Sequence, residues 1–247
     1  MLIWPNGDRP NRIAFISDLH LFSSRSTAEQ HQMAMQMAAS EAEMVVFGGD
    51  LFDFRWSQLG GPKATTTAAV DWLSRFMDTA GQRQYVFLFG NHDGDERLRD
   101  GLRAWAETRP EFQIAGDLLR VGDIMMLHGD AIEGNGDLQR FDAYRARWAL
   151  KPQASTAQSR VYDAAVTLRA HRVAAIVAHR RRRTCQRLTH YLAHHACGPE
   201  EGIRRVIFGH THRFLPGHWF GGMRFYNPGA AVRGVPFKPV VLATDEP

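Results

Sequence analysis

The sequence predicts an α/β fold built around mostly parallel strands, and three observations predict it. Five apolar runs of strand length recur along the chain: RIAFIS, MVVFGG, YVFLFG, IMML and RVIFG. Segments of helical composition alternate with the first of them, at Thr27 to Glu43, Thr65 to Ala80 and Glu96 to Glu107. Each run is followed at once by polar residues of one chemical kind, in the place where open α/β sheets bind ligands, outside the carboxyl ends of their strands.

The first run leads into Asp18 and His20, the second into Asp50 and Asp53, and the third into Asn91, His92 and Asp93. The fourth leads into His128, Gly129 and Asp130, and the fifth into His210, Thr211 and His212. The runs are β-branched or aromatic and nearly continuous in apolarity, the pattern of strands buried on both faces. In the tail, MRFYNPGA and KPVVLAT read as two further strands joined through an Asn-Pro-Gly turn and a loop. From Ala131 to about Glu201 the strand pattern lapses and helical periodicity replaces it. There Val173, Val177, Thr184, Leu188, Tyr191 and His195 share one helical stripe, with Arg181, Arg182 and Arg183 mainly off it. The expected organisation is one domain over residues 1–247 carrying a helical insertion at about 131–201.

With 247 residues, 44% of them apolar, the chain can bury one substantial core, and disorder is excluded as a general description. The first twelve residues hold no apolar core of signal-peptide length, and no stretch approaches the roughly 18 apolar residues of a membrane span. A soluble, cytoplasmic protein is expected. Cys185 and Cys197 fall in a segment read as helical, which would hold them roughly 18 Å apart, so they are expected to be unpaired thiols. The net charge of +4 is uneven: His171 to Cys197 carries six arginines, including Arg180 to Arg183, and no acidic residue. That implies a local anion-attracting surface and not a general affinity for nucleic acid.

Gathered at one sheet edge, Asp18, His20, Asp50, Asn91, His128, His210 and His212 offer four imidazoles, two carboxylates and one amide, with no thiolate. That is too many ligands for one tetrahedral zinc. It suits two ions of higher coordination that share a bridging carboxylate. Such a pair clamps a phosphoryl group and turns bound water into hydroxide near neutral pH. Gly48, Gly49, Gly90 and Gly209 read as turn residues that let the backbone pass close to such ions. Asp93 and Asp130 read as supporting or turn-forming residues.

The ordered set Asp18-Leu19-His20, Gly49-Asp50-Leu51-Phe52-Asp53, Gly90-Asn91-His92-Asp93, His128-Gly129-Asp130 and Gly209-His210-Thr211-His212 resembles the calcineurin-like metallophosphoesterase superfamily. The resemblance implies a four-layer α/β/β/α sandwich of two mixed sheets flanked by helices. It implies that Asp18, His20 and His212 hold a first metal, that Asn91, His128 and His210 hold a second, and that Asp50 bridges both. By the same resemblance His92 donates a proton to the leaving oxygen or stabilises the phosphoryl oxygens, and Asp53 orients its ring. Within the superfamily the chain is most similar to the UDP-2,3-diacylglucosamine diphosphatases of lipid A synthesis. The carriers of that likeness are its size, the GDLFDF form of the second motif, the helical insertion after His-Gly-Asp, and GHTHR. These enzymes release UMP from a lipid-linked nucleotide and typically use Mn2+, with Fe or Zn as the other candidates here.

The insertion is then expected to meet the acyl chains, with Arg181, Arg182, Arg183 and Arg213 as substrate-binding candidates and with peripheral contact to an anionic inner membrane. His92 stands where the diphosphatases usually have Arg, and YNPGA at Tyr226 to Ala230 is similar to the smaller general phosphodiesterases. A general phosphodiesterase, a phosphatase or a nuclease of the same superfamily are the alternatives. The absence of a broad basic face and of a dedicated DNA-binding module speaks against nucleic acid as the partner.

Overall fold

The apolar runs become strands whose two faces serve two different cores. The computed structural model describes residues 1–155, 158 and 180–245. In β2 (Arg12–Ile16), Ala14 and Ile16 point into one core while Ile13 and Phe15 point into another. In β3 (Met44–Phe47) and β4 (Gln84–Phe87) the same alternation sends Val45, Phe47, Tyr85 and Phe87 one way and Met44, Val46 and Val86 the other. Because both directions are apolar, the sequence shows continuous runs where a one-sided sheet would show alternation.

These strands and β5 (Phe112–Ile114) run parallel, and β11 (Val240–Ala243) pairs antiparallel with β2, giving the order β11-β2-β3-β4-β5. The outer face of this sheet is covered by α1 (Gln32–Ser40), α2 (Pro62–Ala80) and α3 (Glu96–Ala106), through Met35, Leu73, Phe76, Leu98 and Leu102.

A second sheet has the order β1 (Leu2–Ile3), β6 (Leu118–Val121), β7 (Ile124–Leu127), β8 (Arg205–Phe208), β10 (Met223–Asn227) and β9 (Leu215–Phe220). Within it β7, β8 and β10 are parallel, while β6 and β9 run antiparallel to their neighbours β7 and β10. Leu119, Val121, Ile124, Met126 and Ile207 meet Ile13, Phe15 and Val46 of the first sheet in a buried layer between the two. Met125, Leu127, Val206 and Phe208 face outward. They meet α4 (Leu138–Ala149) and α5 (Arg181–Ala193) through Phe141, Leu188, Tyr191 and Leu192. Helices, sheet, sheet, helices: the four-layer α/β sandwich expected from the sequence is the fold.

Several details differ. The first helical segment splits into a 3-10 turn at Ala28–His31 and then α1. Helix α2 begins at Pro62 and not at Thr65, since proline fits the first turn, where its missing N–H costs nothing. Strands β1, β5, β6 and β9 were not anticipated. β9 contains Pro216 and Gly217, which break a strand pattern but are tolerated on the edge position it occupies.

In the insertion, Thr184, Leu188 and Tyr191 are buried as the stripe requires, whereas His195 lies past the end of α5, and Val173 and Val177 lie outside the described residues. Cys185 is in α5 but Cys197 follows it, so the helical spacing expected between them does not hold; both thiols are buried and unpaired. Arg181, Arg182 and Arg183 are exposed. No helix among the described residues is long and apolar enough to cross a membrane.

Candidate metal centre

Both sheets end at one edge, where the loops after β2, β3, β4, β7 and β8 carry the polar clusters. Backbone hydrogen bonds lace these loops together: Asp18 N donates to Gly49 O (3.0 Å), His20 N to Asp50 O (3.0 Å) and Gly209 N to His128 O (2.7 Å). The approach is so close that a Cβ on Gly90 would run into the Asp50 carboxylate, and one on Gly209 into that of Asp18. Asp18, His20, Asp50, His210 and His212 all adopt left-handed backbone, with φ of 55°, 47°, 52°, 65° and 53°. Such conformations cost about 1–3 kcal/mol each in non-glycine residues and persist where the surrounding fold imposes them, typically at functional sites.

The side chains so positioned form two groups. Asp18, His20 and His212 have ligand atoms all within 4.8 Å of one another, and so do Asp50, His128 and His210. In the first group His20 Nε2 and His212 Nε2 are 3.0 Å apart, and His212 Nε2 is 3.4 Å from Asp18 Oδ1. In the second, His128 Nε2 is 3.3 Å from Asp50 Oδ2. Outer contacts fix these candidate ligands. His128 Nδ1 donates to Gly48 O (2.9 Å), which fixes the ring with Nε2 facing Asp50. The Asp18 carboxylate accepts from Ser17 Oγ and from His210 N (2.9 Å). His210 Nε2 donates to Glu133 Oε1 (3.0 Å).

A third trio, His20, Asp53 and His92, adjoins the first group. Asp53 is 2% exposed and meets both rings, at 3.0 Å from His92 Nδ1 and 3.4 Å from His20 Nδ1. His92 N also donates to Asp50 Oδ1 (2.8 Å), so the backbone of this residue touches a carboxylate of the second group. Burial opposes charge on His92, but the carboxylates of Asp53 and Asp50 outweigh it and raise its pKa to about 9. In the same way burial is overcome at His128 by Asp50, and its pKa rises to about 10. Asp93, buried and beside Asp50, is pushed up to about 6 while it accepts from Gly90 N (2.7 Å) and Leu51 N (2.9 Å).

The sequence profile of the calcineurin-like phosphoesterases matches residues 11–214. The chain belongs to that family. This phosphoesterase is also similar to a solved structure, the crystal structure of a dimetal phosphatase from Danio rerio. The two are 12% identical over 96% of this chain and 93% of the other, with a TM-score of 0.48. No curated protein matches the sequence.

The donor set of the phosphoesterase fits a pair of divalent ions. Asn91 Oδ1 and His128 Nε2 are buried with no hydrogen-bond partner. An orphaned buried acceptor is costly, and a cation is what such atoms are built to meet. Oxygen and imidazole donors without thiolate match hard or borderline divalent metals.

Residues outside the sequence motifs complete the centre. Arg145 of α4 forks onto Asp130 (2.8 and 3.0 Å), and also donates to Phe89 O (3.0 Å) and Asp117 Oδ1 (2.6 Å). It thereby ties the loop bearing His128 to the one bearing Asn91. Trp148, one turn further, lays its ring 4.8 Å from that of His92. Asp130 thus has the supporting place expected of it, but Glu133, Arg145 and Trp148 carry no motif that the sequence displays. Arg213 follows the second histidine of the last motif. Burial and then the charge of Arg181 both lower its pKa.

Two expectations follow here. Arg145→Ala leaves Asp130 as an uncompensated buried charge and should cost about 3–5 kcal/mol in unfolding free energy. Arg145→Lys, which keeps the charge but not the fork, should fall between the two in chemical denaturation. The second concerns pH. In the metal-stripped chain the folded pKa values of His92 and His128 exceed the unfolded value of about 6.5. Their stabilisation is therefore complete below about pH 6.5 and lost as pH rises through about 9–10. The melting temperature of stripped protein should drop by roughly 5–10 °C across that window. In loaded protein the drop should vanish, because metal charge pushes both pKa values back down. Thermal scans from pH 6 to pH 10 measure both.

Proposed function

We propose that this phosphoesterase hydrolyses a diphosphate bond in a nucleotide-linked, acylated sugar such as UDP-2,3-diacylglucosamine. In this reading Asp18, His20 and His212 would hold one ion, Asn91, His128 and His210 would hold the other, and Asp50 would serve both. The observation that carries the dinuclear part is the presence of two three-residue groups, Asp18, His20 and His212 in one and Asp50, His128 and His210 in the other, with Asn91 Oδ1 and His128 Nε2 left unpartnered. Mn2+ is the proposed metal. When bound, the ions supply positive charge for the phosphoryl oxygens and a nucleophile from water at neutral pH.

The chain's own residues do the rest. Water adds to phosphorus and gives up one proton to solvent, the P–O bond to the departing half breaks, and its electron pair stays on the leaving oxygen, which takes the proton from His92. Asp53 keeps that proton available by holding Nδ1 and stabilising the imidazolium, so it acts as a positioning residue. Solvent then reprotonates His92.

The lipid part of the reading rests on α5. Arg181, Arg182 and Arg183 crowd the first turn of a helix that has no acidic residue there. Cations at a helix N-terminus oppose its dipole by about 0.3–1 kcal/mol each, so they do nothing for the helix itself. An external anion, such as a phospholipid headgroup at the inner membrane, accounts for them, and the charge of Arg181 is felt at Arg213, next to His212.

The test is a substrate panel on manganese-loaded protein: UDP-2,3-diacylglucosamine, a soluble nitrophenyl diester, monoesters and nucleotides. Reversing Arg181, Arg182 and Arg183 to glutamate should weaken binding to anionic vesicles and slow lipid turnover about tenfold or more, each charge near a membrane being worth about 1 kcal/mol. The soluble diester should hardly respond. Lipid turnover that survives the reversal, in a protein that never binds vesicles, rejects the lipid reading and leaves a general phosphodiesterase.

A further inference from the structure

Beside His92 the structure has a cavity of about 490 Å³, within the range of small-molecule sites. It opens between the loop that follows β4, with the start of α3, and the C-terminal end of α4 with the segment to Gln153. That segment is tied to the loop after β3: Ala154 N donates to Arg55 O (2.7 Å) and Gln153 Nε2 to Ser57 O (2.7 Å). The walls are therefore fixed on both sides.

Cations dominate the lining. Arg97 is held by Asp95 (3.5 Å), and Arg99 lies over the Phe89 ring while donating to Gly94 O (3.2 Å). Arg55 and Lys151 differ, since among the described residues neither has a carboxylate partner. Each rests on an indole instead: Lys151 Nζ is 3.6 Å from the Trp148 ring centre, and the Arg55 guanidinium is 5.1 Å from that of Trp56. Burial and the neighbouring Arg55 hold the Lys151 ammonium below its usual pKa. Two like charges brought together on one wall cost free energy that an anion between them would return. His92 lines the same cavity, with its ring against Trp148. A proton donor at the leaving oxygen places the departing half of the substrate on its own side.

We propose that this cavity receives the departing half of the substrate, and that this half carries a phosphate which Arg55 and Lys151 hold, with Trp148 as the wall beside it. The inference rests on the phosphoester-hydrolase reading with His92 as proton donor, and adds which half of the substrate must be anionic. It makes a diphosphate a better substrate than a diester whose departing half is uncharged.

The experiment compares UDP-N-acetylglucosamine, whose departing half is a sugar phosphate, with bis(4-nitrophenyl) phosphate, whose departing half is not charged before cleavage. In Arg55→Ala and Lys151→Ala the ratio of kcat/KM for the first over the second should fall by roughly 10–100-fold, the worth of one charge-assisted contact. Lys151→Arg should restore most of it. Calorimetry with phenyl phosphate on metal-stripped protein should show binding weakened about tenfold by either alanine variant. An unchanged ratio in the double variant, or phenyl phosphate binding indifferent to both substitutions, overturns the proposal. If the loaded wild-type protein cleaves neither of these nor UDP-2,3-diacylglucosamine, the hydrolytic reading fails, and the calorimetry on stripped protein alone decides whether the pocket holds phosphate.

Discussion

Asp50→Asn should lose metal and turnover together. The side chain is 1% exposed, its Oδ1 accepts from His92 N (2.8 Å) and its Oδ2 lies 3.3 Å from His128 Nε2. Asparagine preserves the volume and one acceptor but removes the carboxylate charge of the second ligand group. On the dinuclear reading Asp50 would serve both ions, whose charge would be worth several kcal/mol to the transition state, so kcat should fall by roughly 10³-fold or more. Metal analysis of the purified variant should find well under two ions per chain. Full activity in the variant, or active wild-type protein holding a single tightly bound ion, rejects the dinuclear centre. Removal of metal by a chelator should reproduce the variant's rate in the wild-type protein.

His92→Ala should behave in the opposite way toward metal. Its backbone N–H, which supports Asp50, survives the substitution, so the ions should stay while turnover falls by the roughly 10²–10⁴-fold of a positioned general acid. The deficit should shrink for nitrophenyl esters, whose leaving groups need little protonation. Asp53→Asn should give a milder form of the same defect, because it disturbs the ring's orientation and charge without removing the ring. The competing assignment is concrete: His20, Asp53 and His92 also lie within reach of one ion. A fall in metal content of the alanine variant would make His92 a ligand and end its role as proton donor.

The parts of the molecule that the sequence displayed are those governed by local pattern. β2, β3, β4, β7 and β8 are buried on both faces, so their apolar runs are uninterrupted, and the ligand residues stand directly at their ends. β6 and β7 form a hairpin in which Val121 pairs with Ile124 across Gly122 and Asp123, with Gly122 at φ 59°. That Gly-Asp dipeptide was a readable turn signal, yet β6 is only LLRV and its Arg120 interrupts the run. Arg145, Trp148 and Glu133 had no such signal. Their importance comes from contacts 15, 56 and 77 residues away, or from a helix laid across the end of a sheet, and helix α4 alone gives no hint of what its inner side will touch. The cysteine spacing failed for a related reason: α5 stops at Ala193, and the chain reverses before Cys197.

The ligands' dispersal along the chain has a consequence in time. Asp18 precedes His212 by 194 residues (212 − 18), and the loops that hold them are joined by contacts between both sheets. At a translation rate of about 5–20 residues per second, roughly 10–40 s separate the synthesis of the first ligand from that of the last. Throughout that interval the nascent chain holds Asp18, His20 and Asp50 without the β8 loop that closes over them. A ribosome-bound chain halted before residue 205 should therefore lack the native arrangement of these loops and, on the dinuclear reading, capture neither ion there.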